Sequence, residues 1–195
     1  MTRVAVLASG GGSNLQSLID AIDAAGPRAP ARIVLVASNR AAAGALDRAR
    51  RHGIATAVIA DPSDGDALNA LLARHGVSMV VLAGYVKLVP HAVVERFAGA
   101  MVNIHPALLP AFGGPGMHGR HVHDAVLAAG VKESGATVHF VTDDYDRGAI
   151  IAQQRVAVEP DDTAESLAAR VLAAEHELYP RTILALASQL TSSER

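Results

Sequence analysis

Cysteine and tryptophan are absent from the sequence, and aromatic residues make up only 3% of it. Without cysteine the chain can form neither disulfide bonds nor thiolate metal sites, which is compatible with a reducing compartment. Because aromatic rings are so few, alanine, valine, leucine and isoleucine must build the core. Half of the residues are apolar and 18% are charged, which is typical of a globular protein rather than a disordered one.

The chain also lacks an excess of positive charge and a long apolar run. Its 17 Lys and Arg residues are balanced by 19 Asp and Glu residues, whereas a general nucleic-acid or membrane-surface binder is normally basic. No apolar stretch reaches the ~18 to 20 residues of a membrane-spanning helix. The short apolar run at 1–7 leads into glycines rather than a signal-peptide cleavage site. We therefore expect a cytoplasmic protein with no nucleic-acid or membrane partner.

Short apolar runs alternate with alanine-rich helical stretches through the first hundred residues. Runs that are apolar at consecutive positions are typical of strands buried on both faces of a parallel sheet. They lie at 4–7, 33–36, 54–59, 79–82 and 101–104, and the helical patterns between them lie at 14–25, 42–51, 66–74 and 91–97. This alternation predicts an α/β fold with a doubly wound, mostly parallel sheet in one domain.

The pattern changes after residue 104. We expect a loop rich in proline, glycine and histidine at 105–118, and then a short helix to 129. Two strand-like runs, 137–141 and 150–158, lie close enough to form an antiparallel, hairpin-like addition to the sheet. A final helix should open at Asp162, which has capping-box spacing to Glu165. It should kink or end at Pro180, and the tail at 188–195 should be frayed.

A glycine turn joins the first predicted strand to the first helix. Glycines let the backbone adopt positive φ and approach a ligand, and a helix N-terminus attracts anions. Ser13 and Gln16 have the spacing of an N-cap and its reciprocal partner. Leu15 stands where the dinucleotide fingerprint has its third glycine, and the lysine of a triphosphate loop is missing. The turn therefore predicts a site for a single phosphate, with a tight turn that binds nothing as the alternative. The residues of this predicted site are Gly11, Gly12, Ser13 and Asn14.

Asn103 and His105 lie at the end of a predicted central strand, at the edge where open α/β sheets bind ligands. Side chains two residues apart on a strand point the same way, so the amide and the imidazole converge. Such a pair can stabilise an oxyanion and move a proton, as acyl transfer to an amine requires. Alternatively, the two side chains only satisfy the hydrogen-bonding groups of the turn before Pro106. The later acidic loop at 143–148 supplies a carboxylate partner, or it is merely a solvated turn.

Motifs across nearly the whole chain resemble those of the phosphoribosylglycinamide formyltransferases, the folate-dependent enzymes of purine synthesis. They are the serine-asparagine turn at 9–16, Leu-Ala-Gly-Tyr at 82–85, Asn-x-His-Pro-x-Leu-Leu-Pro at 103–110, the strand and loop at 137–148, and Glu-His-x-x-Tyr-Pro at 175–180. The third motif is specific to the folate formyltransferase superfamily, and the first and last narrow the resemblance to this branch. The resemblance implies one formyltransferase domain over 1–195, with a phosphate-binding half at 1–104 and a catalytic and folate-binding half at 105–195.

The resemblance implies that the amine of 5′-phosphoribosylglycinamide attacks the formyl carbon of 10-formyltetrahydrofolate directly. Asn103 and His105 would stabilise the oxyanion, and Asp146 would order a water and favour the protonated histidine. Glu175 would contact the substrate ribose beside the phosphate turn. The residues implied in folate binding are Tyr85, Val86, Lys87, Leu88, Val89, Val141, Asp143 and Asp144. The expected partners are these two small molecules without a metal, and a homodimer is an option because the family includes monomers and dimers.

The histidines at 118–123 and the single His139 need a separate interpretation. The stretch at 110–118 is longer and richer in glycine than the family pattern, and His118, His121 and His123 exceed its usual number of histidines. A zinc site is the alternative there, but a helix starting at about residue 119 would separate positions two apart. His139 lies in an apolar strand and is expected to be a hydrogen-bonded residue of the core, or one that supports the catalytic residues from behind, rather than a catalyst.

Three other functions stay open at this point. A formyltetrahydrofolate hydrolase shares the catalytic motif but usually carries an extra N-terminal regulatory domain, whereas the catalytic fold begins here at Arg3. A transfer-RNA formyltransferase adds a basic C-terminal domain, whereas this chain is slightly acidic and stops soon after its last helix. A non-catalytic phosphate-binding module would explain the glycine turn and the sheet, but not the joint occurrence of Asn103, His105 and Asp146.

Overall fold

Seven strands and six α-helices form in residues 1–193, the part of the chain that this computed structural model describes. The strands are β1 Thr2–Leu7, β2 Ala31–Ser38, β3 Thr56–Val58, β4 Met79–Leu82, β5 Met101–His105, β6 Glu133–Phe140 and β7 Ile150–Ala157. The helices are α1 Ser13–Ala25, α2 Gly44–Arg51, α3 Gly65–Arg74, α4 His91–Arg96, α5 Arg120–Ala128 and α6 Ala164–Ser193, and a 3₁₀ turn covers Gly26–Arg28. In this range no helix has the length and apolar character needed to cross a membrane.

The strands form one mixed sheet in the order β3-β2-β1-β4-β5-β6-β7. Neighbours from β3 to β5 pair in parallel, whereas β5 with β6 and β6 with β7 pair antiparallel. The predicted doubly wound, mostly parallel sheet with an antiparallel C-terminal addition and a final helix is therefore confirmed. The chain leaves β1 for β2 on one side and returns to β4 on the other, so a crevice opens at the carboxyl ends of β1 and β4.

Both faces of the sheet are buried, which explains why the central strands are apolar at every position. On β1, Val4 and Val6 pack with α1, α2 and α6 on one face, and Ala5 and Leu7 pack with α3 and α4 on the other. All four side chains are fully buried. Each face of the sheet thus has its own helical layer, as the consecutive apolar runs predict.

The sequence predicts that α6 kinks or ends at Pro180. The helix continues through this residue, so it does not end there. The proline removes one helical hydrogen bond, but both flanking turns are anchored in the core. The Tyr179 hydroxyl donates to the carbonyls of Leu82 and Val102, at 2.8 and 3.3 Å. Beyond the proline, Ile183 and Ala187 are fully buried. The helix extends to residue 193, contrary to the frayed tail expected from 188, and residues 194 and 195 lie outside the described range.

The start of α6 also differs from the predicted capping box. The Thr163 and Ser166 side chains accept hydrogen bonds from each other's backbone N–H groups, at 3.2 and 2.9 Å. Asp162 instead accepts hydrogen bonds from Arg170 at 2.8 and 3.0 Å. The capping box therefore forms one residue further along the chain than predicted, because the Asp162 carboxylate is bound by Arg170, two helical turns further on.

Candidate active site

A cleft with a cavity volume of about 760 Å³ lies at the carboxyl ends of β4 and β5. It is lined by most of the residues predicted from the sequence. These are Asn14, Tyr85, Val86, Lys87, Leu88, Val89, Asn103, His105, Val141, Asp144, Asp146 and Glu175. Four predicted residues, Gly11, Gly12, Ser13 and Asp143, do not line the cavity. The sheet thus brings together segments that are far apart in the sequence, such as those of Asn14 and Glu175, which are separated by 161 residues.

His105 is held on both sides of its ring. Its Nε2 atom lies 2.7 Å from the Phe112 carbonyl oxygen, and its Nδ1 atom lies 3.4 Å from Oδ2 of Asp146. The ring is only 3% exposed, and this burial lowers the pKa of His105, although Asp146 and the Phe112 carbonyl oppose the shift. Asp146 favours the protonated imidazole, as expected, but in the free protein the desolvation of the ring outweighs the carboxylate. The neutral ring donates from Nε2 to Phe112.

Asn103 projects from β5 into the same corner of the cleft. Its Nδ2 atom lies 3.1 Å from Nε2 of His139 and 3.5 Å from Oδ1 of Asp146. The Nδ1 atom of His139 lies 2.8 Å from the Phe140 carbonyl oxygen, which can only accept, so Nδ1 donates to it. The Asn103 amide nitrogen thus lies between the His139 ring and the Asp146 carboxylate, at the wall of the cleft.

Asp146 is the group that connects these three side chains. Its Oδ1 atom lies 3.4 Å from Nε2 of His139, and its Oδ2 atom accepts a hydrogen bond from the Gly114 N–H at 2.9 Å. Burial opposes ionisation of Asp146, but these contacts and the nearby His105 outweigh it, so its pKa is lowered. Its φ of 56° is unusual for a residue with a side chain, which aspartate tolerates better than most. The loop is thus shaped to direct an ionised carboxylate inward.

The glycine turn is fixed from behind by α2. The backbone N–H of Ala45 donates to the Gly10 carbonyl at 3.1 Å, and the Arg48 Nε donates to the Gly11 carbonyl at 2.8 Å. Gly12 has a φ of 78°, and a side chain there would clash with Ala45 at 2.8 Å. Two carbonyls are therefore held on the α2 side. Gly12, and not Ser13, is the N-cap residue of α1, and no side chain caps the helix, so the predicted Ser13–Gln16 pair does not form.

Asn14 and Glu175 join the two ends of the chain at the cleft. The Asn14 Nδ2 donates to Oε2 of Glu175 at 2.6 Å. Burial raises the pKa of Glu175 to about 7, although the Asn14 hydrogen bond opposes the shift. Nothing among the described residues hydrogen-bonds to Oδ1 of Asn14, which is buried. The pair therefore places the buried amide oxygen of Asn14 and the readily protonated carboxyl of Glu175 at the wall of the cleft.

The segment from Tyr85 to Val89 forms the other end of the cleft and is tied to the glycine turn through Ser9. The Val86 N–H donates to the Ser9 hydroxyl at 3.1 Å, which itself donates to Asn39 at 2.6 Å. Burial raises the pKa of Tyr85 to about 12. Of the predicted acidic residues, Asp143 pairs instead with exposed His91 at 2.9 Å. Leu88 is 47% exposed, so this end of the cleft offers accessible apolar surface.

Two histidines that were not among the predicted site residues lie at the cleft, and His139 is buried and hydrogen-bonded, as expected. His139 belongs to the polar cluster around Asp146, and His123 of α5 lines the cleft with its ring 5% exposed. The register of β6 on β5 places His139 directly opposite Asn103, a pairing that no local pattern encodes. Within residues 1–193, no group of three or more histidine, aspartate or glutamate side chains is arranged to hold a metal ion.

Comparison with known proteins identifies the class to which this fold and site belong. The family model described as Formyl transferase matches residues 2–183. The chain is 42% identical over 194 residues to the chloroplastic phosphoribosylglycinamide formyltransferase of Arabidopsis thaliana, and 39% identical over 193 residues to the phosphoribosylglycinamide formyltransferase of Haemophilus influenzae. The chain therefore belongs to the formyl transferase family, within its phosphoribosylglycinamide formyltransferase branch, as the sequence motifs predict.

A solved structure supports the same relationship at the level of the fold. Glycinamide ribonucleotide transformylase 1 from Symbiobacterium toebii superposes with a TM-score of 0.89 at 42% identity, covering 97% of this chain and 89% of that one. The matches to the Arabidopsis and Haemophilus proteins cover 96% and 94% of this chain. The chain spans 66% of the length of the Arabidopsis protein, just under two thirds, and 86% of the Haemophilus protein.

Proposed function

We propose that this chain transfers the formyl group of 10-formyltetrahydrofolate to the amine of 5′-phosphoribosylglycinamide, in purine synthesis. The products are formylglycinamide ribonucleotide and tetrahydrofolate. The observation that carries the proposal is the convergence of Asn103 and His105 on Asp146 at the carboxyl end of β5, with Nδ2 of Asn103 3.5 Å from Oδ1 and Nδ1 of His105 3.4 Å from Oδ2 of the carboxylate. An amide donor, an imidazole and a carboxylate together meet the needs of acyl transfer to an amine. The names of the relatives support the same reaction.

The two ends of the cleft suggest how the substrates are arranged. In this proposal the substrate phosphate meets the backbone and side chains of the turn from Gly11 to Asn14, at the N-terminus of α1. Glu175 contacts the ribose, and the amine then points toward Asn103. The folate occupies the opposite end, against residues of the β4 exit and of the loop after β6. These are Tyr85, Val86, Lys87, Leu88, Val89, Val141, Asp143 and Asp144.

The proposed chemistry is a direct addition and elimination without a covalent enzyme intermediate. The uncharged amine nitrogen forms a bond to the formyl carbon, and the carbonyl oxygen becomes an oxyanion that accepts a hydrogen bond from Asn103. One proton leaves the attacking nitrogen through a water bound to Asp146, is held on Nδ1 of His105, and passes to N10 of the folate as the bond from the formyl carbon to N10 breaks. The collapse of the oxyanion restores the carbonyl, now as an amide of the ribonucleotide.

His105 is neutral in the free protein, and this state suits a group that gains a proton during the reaction. A proton on Nδ1 would lie between the ring and Oδ2 of Asp146, now 3.4 Å apart. The resulting cation would be balanced by the ionised carboxylate while it faces the oxyanion. The Phe112 carbonyl keeps the ring oriented by accepting from Nε2. Asp146 thus has two tasks in the proposal, since it holds the water and balances the charge of the histidine.

The experiment that tests the function is an assay of tetrahydrofolate release by the purified protein. The 10-formyl folate donor is supplied with and without 5′-phosphoribosylglycinamide, and formylated ribonucleotide is measured in parallel. We expect turnover only when the ribonucleotide is present, with the two products formed in equal amounts. Turnover that ignores the ribonucleotide would assign the chain as a hydrolase. Absence of turnover in both samples, with phosphate-dependent thermal stabilisation, would assign a binding module.

A further inference from the structure

His123 occupies a position on the cleft wall that the proposed mechanism leaves unused. It lies in the first turn of α5, and its ring is 5% exposed. One turn later, Val126 packs against Leu167 and Val171 of α6, which fixes how α5 lies against that helix. The same wall includes a stripe of α6 residues that ends at Glu175. His123 therefore lies on the side of the cleft that carries Glu175, and the segment from Tyr85 to Val89 contributes other parts of the lining.

The His123 ring is buried on the cleft wall. Within residues 1–193, no group hydrogen-bonds to its buried Nδ1 atom. Burial lowers the pKa of His123, and the nearby His105 adds to this effect, while Asp124 opposes it. A neutral imidazole has one N–H donor and one acceptor nitrogen. Buried polar atoms are normally paired, and an unpaired one destabilises the protein unless a ligand or an ordered water completes it.

We propose that His123 hydrogen-bonds an uncharged donor and acceptor group of the ribonucleotide, a sugar hydroxyl or the carboxamide, and so helps to select this substrate. The inference rests on the proposed function and deepens it. Its position on the Glu175 side assigns the contact to the ribonucleotide rather than to the folate. The uncharged state of the ring suits a hydroxyl or an amide, which can both donate and accept, better than it suits a phosphate oxygen, which can only accept.

The test compares steady-state kinetics of His123→Phe, His123→Asn and the wild-type protein. Phenylalanine keeps a ring in the cavity but removes both nitrogens, whereas the Asn side chain restores a polar group near the place of Nδ1. We expect the KM for the ribonucleotide to rise about threefold to tenfold in His123→Phe, the range for one lost hydrogen bond. The KM for the folate donor should stay within twofold of wild type, and His123→Asn should recover part of the loss.

Thermal stability distinguishes a substrate contact from a merely structural role for His123. If Nδ1 of His123 serves to bind the substrate, the melting temperature of His123→Phe without ligand should equal or exceed that of the wild type, because the variant buries no unpaired nitrogen. The ribonucleotide should, however, raise the melting temperature of the variant by less than it raises that of the wild type. His121→Leu is the matched control, since His121 is exposed two residues earlier on α5. Its KM values should be unchanged.

The outcomes separate the inference from the proposed function. Absence of ribonucleotide-dependent transfer by the wild-type protein would overturn the proposed function itself. Normal wild-type transfer with an unchanged ribonucleotide KM in His123→Phe would overturn only the role of His123, as would a rise confined to the KM for the folate. If His123→Phe does not fold, His123→Leu and His123→Asn replace it, and a wild-type ribonucleotide KM in both overturns the inference.

Discussion

The Nε2 atom of His139 lies 3.1 Å from Nδ2 of Asn103, across the antiparallel pair formed by β5 and β6. The His139 ring is itself oriented by the Phe140 carbonyl, 2.8 Å from Nδ1. The Asn103 amide nitrogen lies between this ring and Oδ1 of Asp146, which is 3.5 Å away. In our proposal His139 makes no contact with the formyl group, but it contacts the amide that does.

Replacing Asn103 with alanine should reduce turnover by about 10²–10³, because one oxyanion donor is lost. The KM values should change much less than kcat, since the contact strengthens in the transition state. Steady-state kinetics with both substrates varied would measure the split. Asn69→Ala on α3, remote from the cleft, is the control and should keep wild-type kcat. Near-normal turnover in Asn103→Ala would refute the assignment.

Replacing His139 with leucine should lower kcat roughly tenfold, less than the loss of Asn103 itself. The amide would still be present but no longer held in one orientation. The measurement is kcat at saturating concentrations of both substrates, combined with the double variant Asn103→Ala/His139→Leu. If His139 acts through Asn103, the double variant should be no slower than Asn103→Ala alone. Additive losses would show an independent role.

Glu175 should make the stability of the protein depend on pH. Its pKa is raised from 4.5 to about 7, so the native state binds this proton more tightly than the unfolded state. The stabilisation, roughly 3 kcal/mol, is fully present below pH 4.5 and is lost as the pH rises through about 7. Glu175→Gln should lack this loss, because glutamine stays uncharged. The difference in free energy of unfolding, Gln minus wild type, should therefore increase between pH 5 and pH 8.

Denaturant unfolding at several pH values would measure this difference. A difference that does not change with pH would mean that Glu175 does not titrate as an isolated buried carboxyl. The comparison is made in the absence of substrates, because a ligand that binds only the native state would add its own stabilisation.

Tyr179→Phe should destabilise the protein by about 1–3 kcal/mol, because two buried carbonyls of β4 and β5 lose their shared hydroxyl donor. The ring and its packing would be retained. Equilibrium unfolding in urea measures the change, and Tyr145→Phe is a suitable control because Tyr145 is 38% exposed. Equal stability of the two variants would show that the hydroxyl contributes nothing to the anchoring of α6.

Arg48→Met should raise the KM for the ribonucleotide by about threefold to tenfold, with little effect on the KM for the folate donor. The guanidinium now holds the Gly11 carbonyl on the α2 side, at 2.8 Å, and its loss would let that peptide rotate toward the phosphate. Arg50→Met is the matched control, because Arg50 lies on the same helix and pairs with exposed Asp47. A similar change in both variants would indicate a general effect of charge.

The sequence by itself determined the sheet and the positions of its strands, because runs of consecutive apolar residues are stable only when both faces are covered. It also determined that Asn103 and His105 lie at the same sheet edge, since the period of a strand is two residues. Only the tertiary structure decided that His139 pairs with Asn103, because cross-strand register depends on partners far apart in the chain. The same holds for the protonation of His105, where burial outweighs the neighbouring carboxylate, and for the unbroken α6, whose core contacts on both sides of Pro180 exceed the local preference to end there.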